Sequence, residues 1–151
     1  MNSRQFQELC RDTCRELRIA DPQGLAAGKA IEVDGFDMAL VFDEALSPDK
    51  LYCYVDLGPI DIAERPAAHT RLLELNLLTG TRSNGVFALD AASGHAILVV
   101  HLHSPQALDE AQLARSLRLF AAQARATRES FSPARVGAVM AGAEALLLRK
   151  A

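Results

Sequence analysis

Three histidines near residue 100 are the first candidates for chemistry in this chain. His101 and His103 are two residues apart in a predicted strand, so their side chains project to the same side, and His95 precedes them. Two histidines at this spacing can share a metal ion. No carboxylate or thiolate that would complete the ligand set is evident from the sequence. We therefore predict no metal site and interpret these histidines as solvated or interface side chains.

The three cysteines do not form a metal or redox motif. Cys10 and Cys14 are four residues apart in a predicted helix, and Cys53 lies alone in a predicted strand. A zinc site usually needs a Cys-x-x-Cys pair or a Cys/His cluster, and an odd number of cysteines argues against a disulfide framework. We interpret all three as small buried apolar side chains.

Motifs of common enzymes do not occur in the sequence. A nucleophile elbow, a His-Glu-x-x-His motif and a Gly-x-Gly-x-x-Gly motif are all missing. Residues 80–85 have the glycine spacing of a phosphate-binding loop, but Val86 and Phe87 stand where Lys and Ser or Thr are needed. The carboxylates are scattered, and helix spacing brings no pair of them together in a setting that would perturb its pKa. We therefore predict a protein that is not an enzyme and uses no cofactor.

Composition favours one globular domain in a cytoplasm. The 151 residues are 50% hydrophobic and 23% charged, which suits a domain that buries a core without disulfides. The net charge of −3 argues against binding to nucleic acid or to an anionic membrane surface. Residues 1–5 lack the layout of a signal peptide, and no apolar run approaches the roughly 20 residues that span a bilayer.

A leucine-rich helix is predicted over residues 71–78, ending at Thr79-Gly80. At about 100° per residue its leucines fall on nearly every side, whereas a helix packed on a sheet needs one apolar stripe. These are Leu72, Leu73, Leu75, Leu77 and Leu78. The apolar surface beyond that one stripe has to be buried within the domain or covered by a second copy of the chain. We prefer a twofold partner, because no larger domain is present to absorb it.

Periodicity and turn residues predict the other elements. Asp34-Gly35 between two alternating segments indicates a hairpin turn, since both positions need positive φ. Asp109 with Gln112 indicates the capping box of a long last helix, whose four arginines lie away from its apolar stripe on a solvated face. The predicted order is a helix at about 3–18, strands at 31–33, 36–42 and 51–57, the leucine helix, strands at 84–90 and 95–103, and a helix at 109–131.

This order, α-β-β-β-α-β-β-α, predicts an α+β fold. The hairpin connections are too short for parallel crossovers, so the first three strands form an antiparallel meander. We predict one domain over residues 1–131. Residues 132–151 form a separate tail, predicted to be a short helix because Ser132-Pro133 suits a helix start.

The element order, the run from Leu72 to Leu78, and the run from Gly85 to Asp90 followed by Gly94 resemble the class I chaperones of bacterial type III secretion. That is the Tir-chaperone, or CesT-like, family, and the resemblance covers roughly residues 3–131. It implies a twisted antiparallel sheet with helices packed on it, and a homodimer joined by the second helix and the strands beside it. Carried over to this sequence, it assigns to the dimer interface Leu73, Leu77, Leu78, Val86 and Leu98.

The resemblance also implies a function. Such chaperones bind the N-terminal segment of a secreted effector in extended form and, without ATP, keep it soluble in the bacterial cytoplasm. The expected partners are the effector, a second copy of the chain and the secretion ATPase, with no nucleic acid or membrane. An extended segment can fill grooves or add a strand to a sheet edge. The effector-facing residues expected on this basis are Phe6, Leu9, Ile31, Val33, Val41, Tyr52 and Tyr54.

Two other functions stay open at the level of sequence. A regulatory or adaptor protein of the same fold, unconnected with secretion, would have the same elements. A small-molecule enzyme or ligand-binding domain would need a closed polar pocket that holds His95, His101 and His103 together with carboxylates.

Overall fold

A computed structural model describes residues 1–79 and 85–130, apart from the side chains of residues 78 and 79. The predicted tail at 132–151 therefore lies outside the described residues. The helices within the described ranges are α1 (Ser3–Leu17), α2 (Pro22–Ala26), α3 (Arg65–Thr79) and α4 (Glu110–Ser130), with a 3-10 turn at Pro105–Ala107. The strands are β1 (Ile31–Val33), β2 (Phe36–Val41), β3 (Lys50–Pro59), β4 (Gly85–Leu89) and β5 (His95–His103).

The described strands form one antiparallel sheet in the order β1-β2-β3-β5-β4. The long central pair is β3 with β5, which runs from Lys50 opposite His103 to Pro59 opposite His95. The predicted α+β fold and its antiparallel sheet are confirmed. The addition is α2, a single turn in which the Asp21 carboxylate accepts a hydrogen bond from the backbone N–H of Gly24. Five residues are too few to produce a helical period, so periodicity did not predict this helix.

Local turn chemistry places the element boundaries. Asp34 and Gly35 have φ values of 49° and 85°, which confirms the predicted hairpin turn with two positive φ angles. At the start of α4 the backbone N–H of Gln112 donates to Asp109 Oδ1 at 2.7 Å, and Gln112 Oε1 accepts from the N–H of Asp109 at 3.0 Å. This reciprocal pair is the predicted capping box.

The core lies between one face of the sheet and helices α1 and α4. Leu51, Cys53 and Val55 of β3 are fully buried there, while the residues between them in sequence turn to the other face. Cys10 and Cys14 enter the same core from α1 and are also fully buried. The interpretation of the three cysteines as buried apolar side chains is therefore confirmed.

Helix α3 lies along strand β4 at one edge of the sheet. Among the described side chains of this helix, Ala68 and Leu72 are buried. Between them and the end of the helix, the side chain of Asn76 hydrogen-bonds the backbone of Phe87 in β4. Helix α3 thus covers an edge of the sheet, whereas α1 and α4 cover a face.

Candidate protein-binding surfaces

The face of the sheet opposite α1 and α4 carries a continuous set of apolar side chains, which we call the open sheet face. Val41 and Tyr54 on this face are 42% and 40% exposed. Its members alternate along each strand with the buried core residues. The apolar members are Ala39, Val41, Tyr52, Tyr54, Val86, Ala88, Ile97 and Val99, and His101 lies beside them on the same face.

The strand register joins these side chains into rows. One row crosses four strands, with Tyr54 opposite both Ala39 and Val99, and Val99 opposite Val86. The next row sets Tyr52 opposite His101, and their rings meet edge to face with centroids 5.0 Å apart. Directly opposed side chains lie about 4.5–5.5 Å apart at Cβ, so the rows form an unbroken surface. Apolar patches of this kind on a folded domain mark interaction sites.

One end of the open sheet face is acidic, and we call it the acidic end: Glu32, Asp34, Asp37 and Asp56. Glu32 and Asp37 are directly opposed across the β1–β2 hairpin, an arrangement of like charges that destabilises a sheet. Met38 pairs with Val55 across β2 and β3. Continued by one residue, the same antiparallel register sets Asp37 beside Asp56. Within residues 1–79 and 85–130, no ion pair is formed by Glu32, Asp34 or Asp37.

The exposed side of α3 forms a second apolar surface. Leu73 and Leu77 are 70% and 79% exposed, in contrast to the buried Leu72, and Val86 of the neighbouring strand is also exposed. Among the described leucine side chains of this helix, Leu72 is therefore buried and Leu75 half-buried, whereas Leu73 and Leu77 form an exposed row. Of the other residues predicted for the dimer interface, Leu98 is fully buried in the core of this chain, and the side chain of Leu78 lies outside the described ones.

The residues predicted to face the effector lie on opposite faces of the sheet. Phe6, Ile31 and Val33 are buried in the core, and Leu9 is half-buried against it. The remaining three lie together on the open sheet face: Val41, Tyr52 and Tyr54. The sequence alone could not separate the two faces, because both are apolar and alternate with the same period.

Asn76 is a functional candidate that the sequence reasoning missed. Its Nδ2 donates to the backbone oxygen of Phe87 at 2.9 Å, and its Oδ1 accepts from the backbone N–H of Phe87 at 2.7 Å. The amide side chain thus occupies backbone groups that an added strand would otherwise use. The signal in the sequence is a lone amide within the apolar run from Leu72 to Leu78.

The histidines do not converge on one site. His95 is next to Pro59 at one end of β5, and its Nδ1 lies 2.8 Å from Asp56 Oδ2. His103 is at the other end, opposite Lys50, and His101 packs on Tyr52. Among the described residues, no group of three or more His, Cys, Asp and Glu side chains could hold a metal ion.

The domain thus presents two apolar surfaces and the acidic end on an α+β fold in which α1 and α4 cover one face of the sheet and α3 covers one edge. The chain belongs to the Tir chaperone protein (CesT) family, whose model matches residues 38–128. A search of curated protein sequences finds no match to the chain. None of the helices in the described ranges is both long and apolar enough to cross a membrane.

Two solved structures share the fold. The structure of the HopA1–SchA chaperone–effector complex contains a chain that is 20% identical, with a TM-score of 0.58. The match covers 84% of this chain and 95% of that one. The crystal structure of the ExsC–ExsE complex contains a chain that is 13% identical, with a TM-score of 0.57, and the match covers 87% and 97%. At these identities the similarity establishes the fold alone.

Proposed function

We propose that the protein is a type III secretion chaperone that binds the N-terminal segment of a secreted effector in extended form, without ATP, in the bacterial cytoplasm. Membership of the Tir chaperone protein family supports this proposal. The observation that carries it is the open sheet face, which presents Val41 and Tyr54 beside the half-buried Tyr52. A binding role of this kind requires no catalytic group and no cofactor. The secretion ATPase is the further partner to which such a complex would be presented.

The effector segment has two places to bind. Its apolar side chains would pack on Val41, Tyr52 and Tyr54, whose desolvation stabilises the complex. Its backbone would add to β1, the edge strand of the sheet that no described strand continues. Ile31 and Val33 then contribute through backbone groups, since their side chains are buried. Phe6 packs on Phe42, the residue after β2, and Leu9 packs against the core from the same helix, so both would act from the core side.

A homodimer completes the proposed assembly. Leu73 and Leu77 of α3, with Val86 of β4, form the surface that a twofold partner would cover. Leu78 extends the same helix and stays in the proposed interface. Leu98 is left out of it, because a fully buried side chain has no surface to offer a partner.

Co-expression with the N-terminal segment of an effector encoded beside this gene tests the proposal. The wild-type protein should form a soluble complex that co-elutes in size-exclusion chromatography. Tyr54→Asp should weaken binding tenfold or more in calorimetry, because a carboxylate would be desolvated against apolar side chains. Ile62→Asp is the matched control, since Ile62 is an exposed apolar residue in the loop before α3.

The outcomes separate the candidate functions. Binding that Tyr54→Asp and Ile62→Asp leave unchanged would remove the open sheet face from the proposal. No complex with any neighbouring effector segment, but a stable one with a regulator that is not secreted, would replace the secretion role by an adaptor role of the same fold.

A further inference from the structure

We infer that strand β1 selects the segment that adds to it: the residue opposite Glu32 is a lysine or arginine, and the residue before it is a small apolar one. The inference deepens the proposed function and rests on it for the source of the segment, a secreted effector. The preference for this sequence is a property of β1 and its surroundings. It can therefore be measured with synthetic peptides, independently of any effector.

The turn of the β1–β2 hairpin decides which backbone groups of β1 are free. Asp34 and Gly35 form a two-residue turn with positive φ angles. In such a hairpin the two residues that flank the turn exchange hydrogen bonds, and here they are Val33 and Phe36. Hydrogen-bonded pairs alternate along an antiparallel ladder, so the N–H and the oxygen of Glu32 point away from β2. Within the described ranges, the backbone of Glu32 bonds to no backbone group outside the sheet.

The free edge of β1 is short, and its length fixes the register of an added strand. The strand has three residues, and the outer two, Ile31 and Val33, bond to β2. Beyond them, the backbone oxygen of Asp34 already accepts a hydrogen bond from Arg125 Nη2 at 2.8 Å. The described pairs of the sheet are all antiparallel. An antiparallel segment bonds to Glu32 through one residue, which then lies directly opposite it.

The side chain of Glu32 lies at the acidic end of the open sheet face. It is directly opposed to Asp37, and a residue opposite Glu32 in an added strand would extend this row, with Cβ atoms about 4.5–5.5 Å apart. His95 pairs with Asp56 in the same row. Within the described ranges, neither Glu32 nor Asp37 forms an ion pair. A lysine or arginine at the added position relieves their mutual repulsion, whereas a carboxylate increases it.

The charge on this edge discriminates between segments. A charged side chain on a short edge strand protects the edge against pairing with other chains. An apolar residue opposite Glu32 would remove water from the carboxylate without replacing it, and this desolvation is unfavourable. A cation supplies the missing partner. The carboxylates of Glu32 and Asp37 thus exclude most segments and admit a basic one, which makes the pairing specific.

A groove on the core side of β1 receives the neighbouring residue of the segment. In antiparallel pairing the residue before the cation lies opposite Val33 and projects to the same side as Val33. The groove there has a volume of about 80 Å³ and is lined by Leu17, Ile19, Glu32, Val33, Asp34 and Arg118. A cavity of about 150 Å³ holds benzene, so this space suits a smaller side chain such as that of valine. Covering the half-buried Leu17 and Ile19 stabilises the complex.

Three synthetic peptides test the preference for a cation. They share the central sequence Thr-Val-X-Val-Thr, where X is lysine, glutamine or glutamate, and fluorescence anisotropy of a labelled peptide gives each Kd with the wild-type protein. At low ionic strength the lysine peptide should bind about tenfold more tightly than the glutamate peptide. The difference should shrink as salt screens the charges.

Glu32→Lys should reverse the order of the lysine and glutamate peptides. A reversal requires the two side chains to meet, and a general loss of folding would not produce it. Glu110→Lys is the matched control, because it makes the same change of charge at an exposed residue about 22 Å along α4 from Arg125. This control should keep the wild-type order.

Methylation of the peptide backbone tests the register. An N-methyl group on the central lysine removes the N–H that bonds to Glu32, so it should abolish binding. The N–H of the preceding valine points away from β1, so its methylation should change the affinity by less than about twofold. Tryptophan in place of that valine should weaken binding, because the groove is too small for an indole.

Each further outcome decides the inference. Equal affinity for the three peptides, or no binding of any of them, would overturn it. Binding that is lost on methylation of the valine but kept on methylation of the lysine would overturn it as well, because β1 would then pair in another register. Peptides that follow the expected order while no effector segment binds would refute the proposed function and leave the inference standing. An effector segment that binds while the peptides show no preference would do the opposite.

Discussion

At the residue scale, the buried thiols are the clearest case of environment deciding chemistry. Burial raises the pKa of Cys53 to about 12, and burial with the neighbouring Cys14 raises the pKa of Cys10 to about 12 as well. Burial also raises the pKa of Cys14. The thiolate is the reactive form, so these side chains are inert in the folded protein.

We expect the native protein to show no reaction with a thiol reagent at neutral pH over minutes, and all three cysteines to react once the chain is unfolded in guanidinium. Mass spectrometry of the labelled protein counts the modified residues. Rapid labelling of the native protein at any of the three positions would contradict the burial described above.

Because of these raised pKa values, the free energy of unfolding depends on pH in the alkaline range. The thiol pKa of Cys10 and Cys53 is about 12 in the folded state against a reference value of 9.0. A raised pKa means that the folded state keeps protons that the unfolded state releases. The two protonated thiols therefore contribute fully to the free energy of unfolding below pH 9, and this contribution is lost as the pH rises from 9 towards 12.

The sequence located these cysteines because each falls on an apolar position of its own helix or strand. It could not locate the role of Asn76, whose partner Phe87 is eleven residues further along the chain and in another element. An interaction between residues of the same helix or strand can be predicted from their spacing in the sequence. An interaction between two elements can be identified only in the folded chain.

At the scale of elements, Asn76 joins α3 to the edge of β4. Asn76→Leu would leave the backbone N–H and oxygen of Phe87 without these partners, at a cost of about 1–3 kcal/mol. We expect a lower urea midpoint with an unchanged slope. We also expect higher-order association in light scattering, because the uncovered edge of β4 can pair with other chains.

His69→Leu is the matched control for this change, because it adds an apolar side chain at an exposed position of the same helix. It should leave the urea midpoint and the association state close to those of the wild type. If both variants behave alike, the effect comes from added apolar surface and the bonds to Phe87 do not matter.

The elements themselves were predictable where local signals agree. The β1–β2 hairpin and the start of α4 are specified by Asp34-Gly35 and by Asp109 with Gln112, each within a few residues. Which leucines of α3 are buried was not predictable, because leucines occur on nearly every side of that helix. The distinction between Leu72 and Leu77 is made by the contact of α3 with β4, which joins distant parts of the chain.

At the scale of the whole molecule, the exposed row of α3 predicts the oligomeric state. Leu77→Asp should convert the proposed dimer to a monomer that remains folded, because Leu77 is exposed in the single chain and would be desolvated in the dimer. Leu119→Asp, at an exposed residue of α4, should leave the dimer intact. Analytical ultracentrifugation gives the masses, and circular dichroism reports the folding of each variant.

A wild-type protein that is a monomer at micromolar concentration would contradict the proposed dimer. Loss of structure in Leu77→Asp would show that this leucine supports the fold of the single chain.

The predicted fold class needed only the order of elements, which periodicity and turn residues supply. The surfaces needed the packing of the helices, because the side on which α1 and α4 lie decides which face of the strands is the core and which is the open sheet face.

The pairing of β3 with β5 also has a kinetic consequence. Hairpins β1–β2 and β4–β5 close through short loops, and β3 follows β2 closely. Every β3–β5 pair, in contrast, joins residues more than thirty positions apart, with α3 in between. Closing that loop costs chain entropy before the new contacts compensate for it. We therefore expect the two halves of the sheet to form first and their joining at β3 and β5 to set the folding rate.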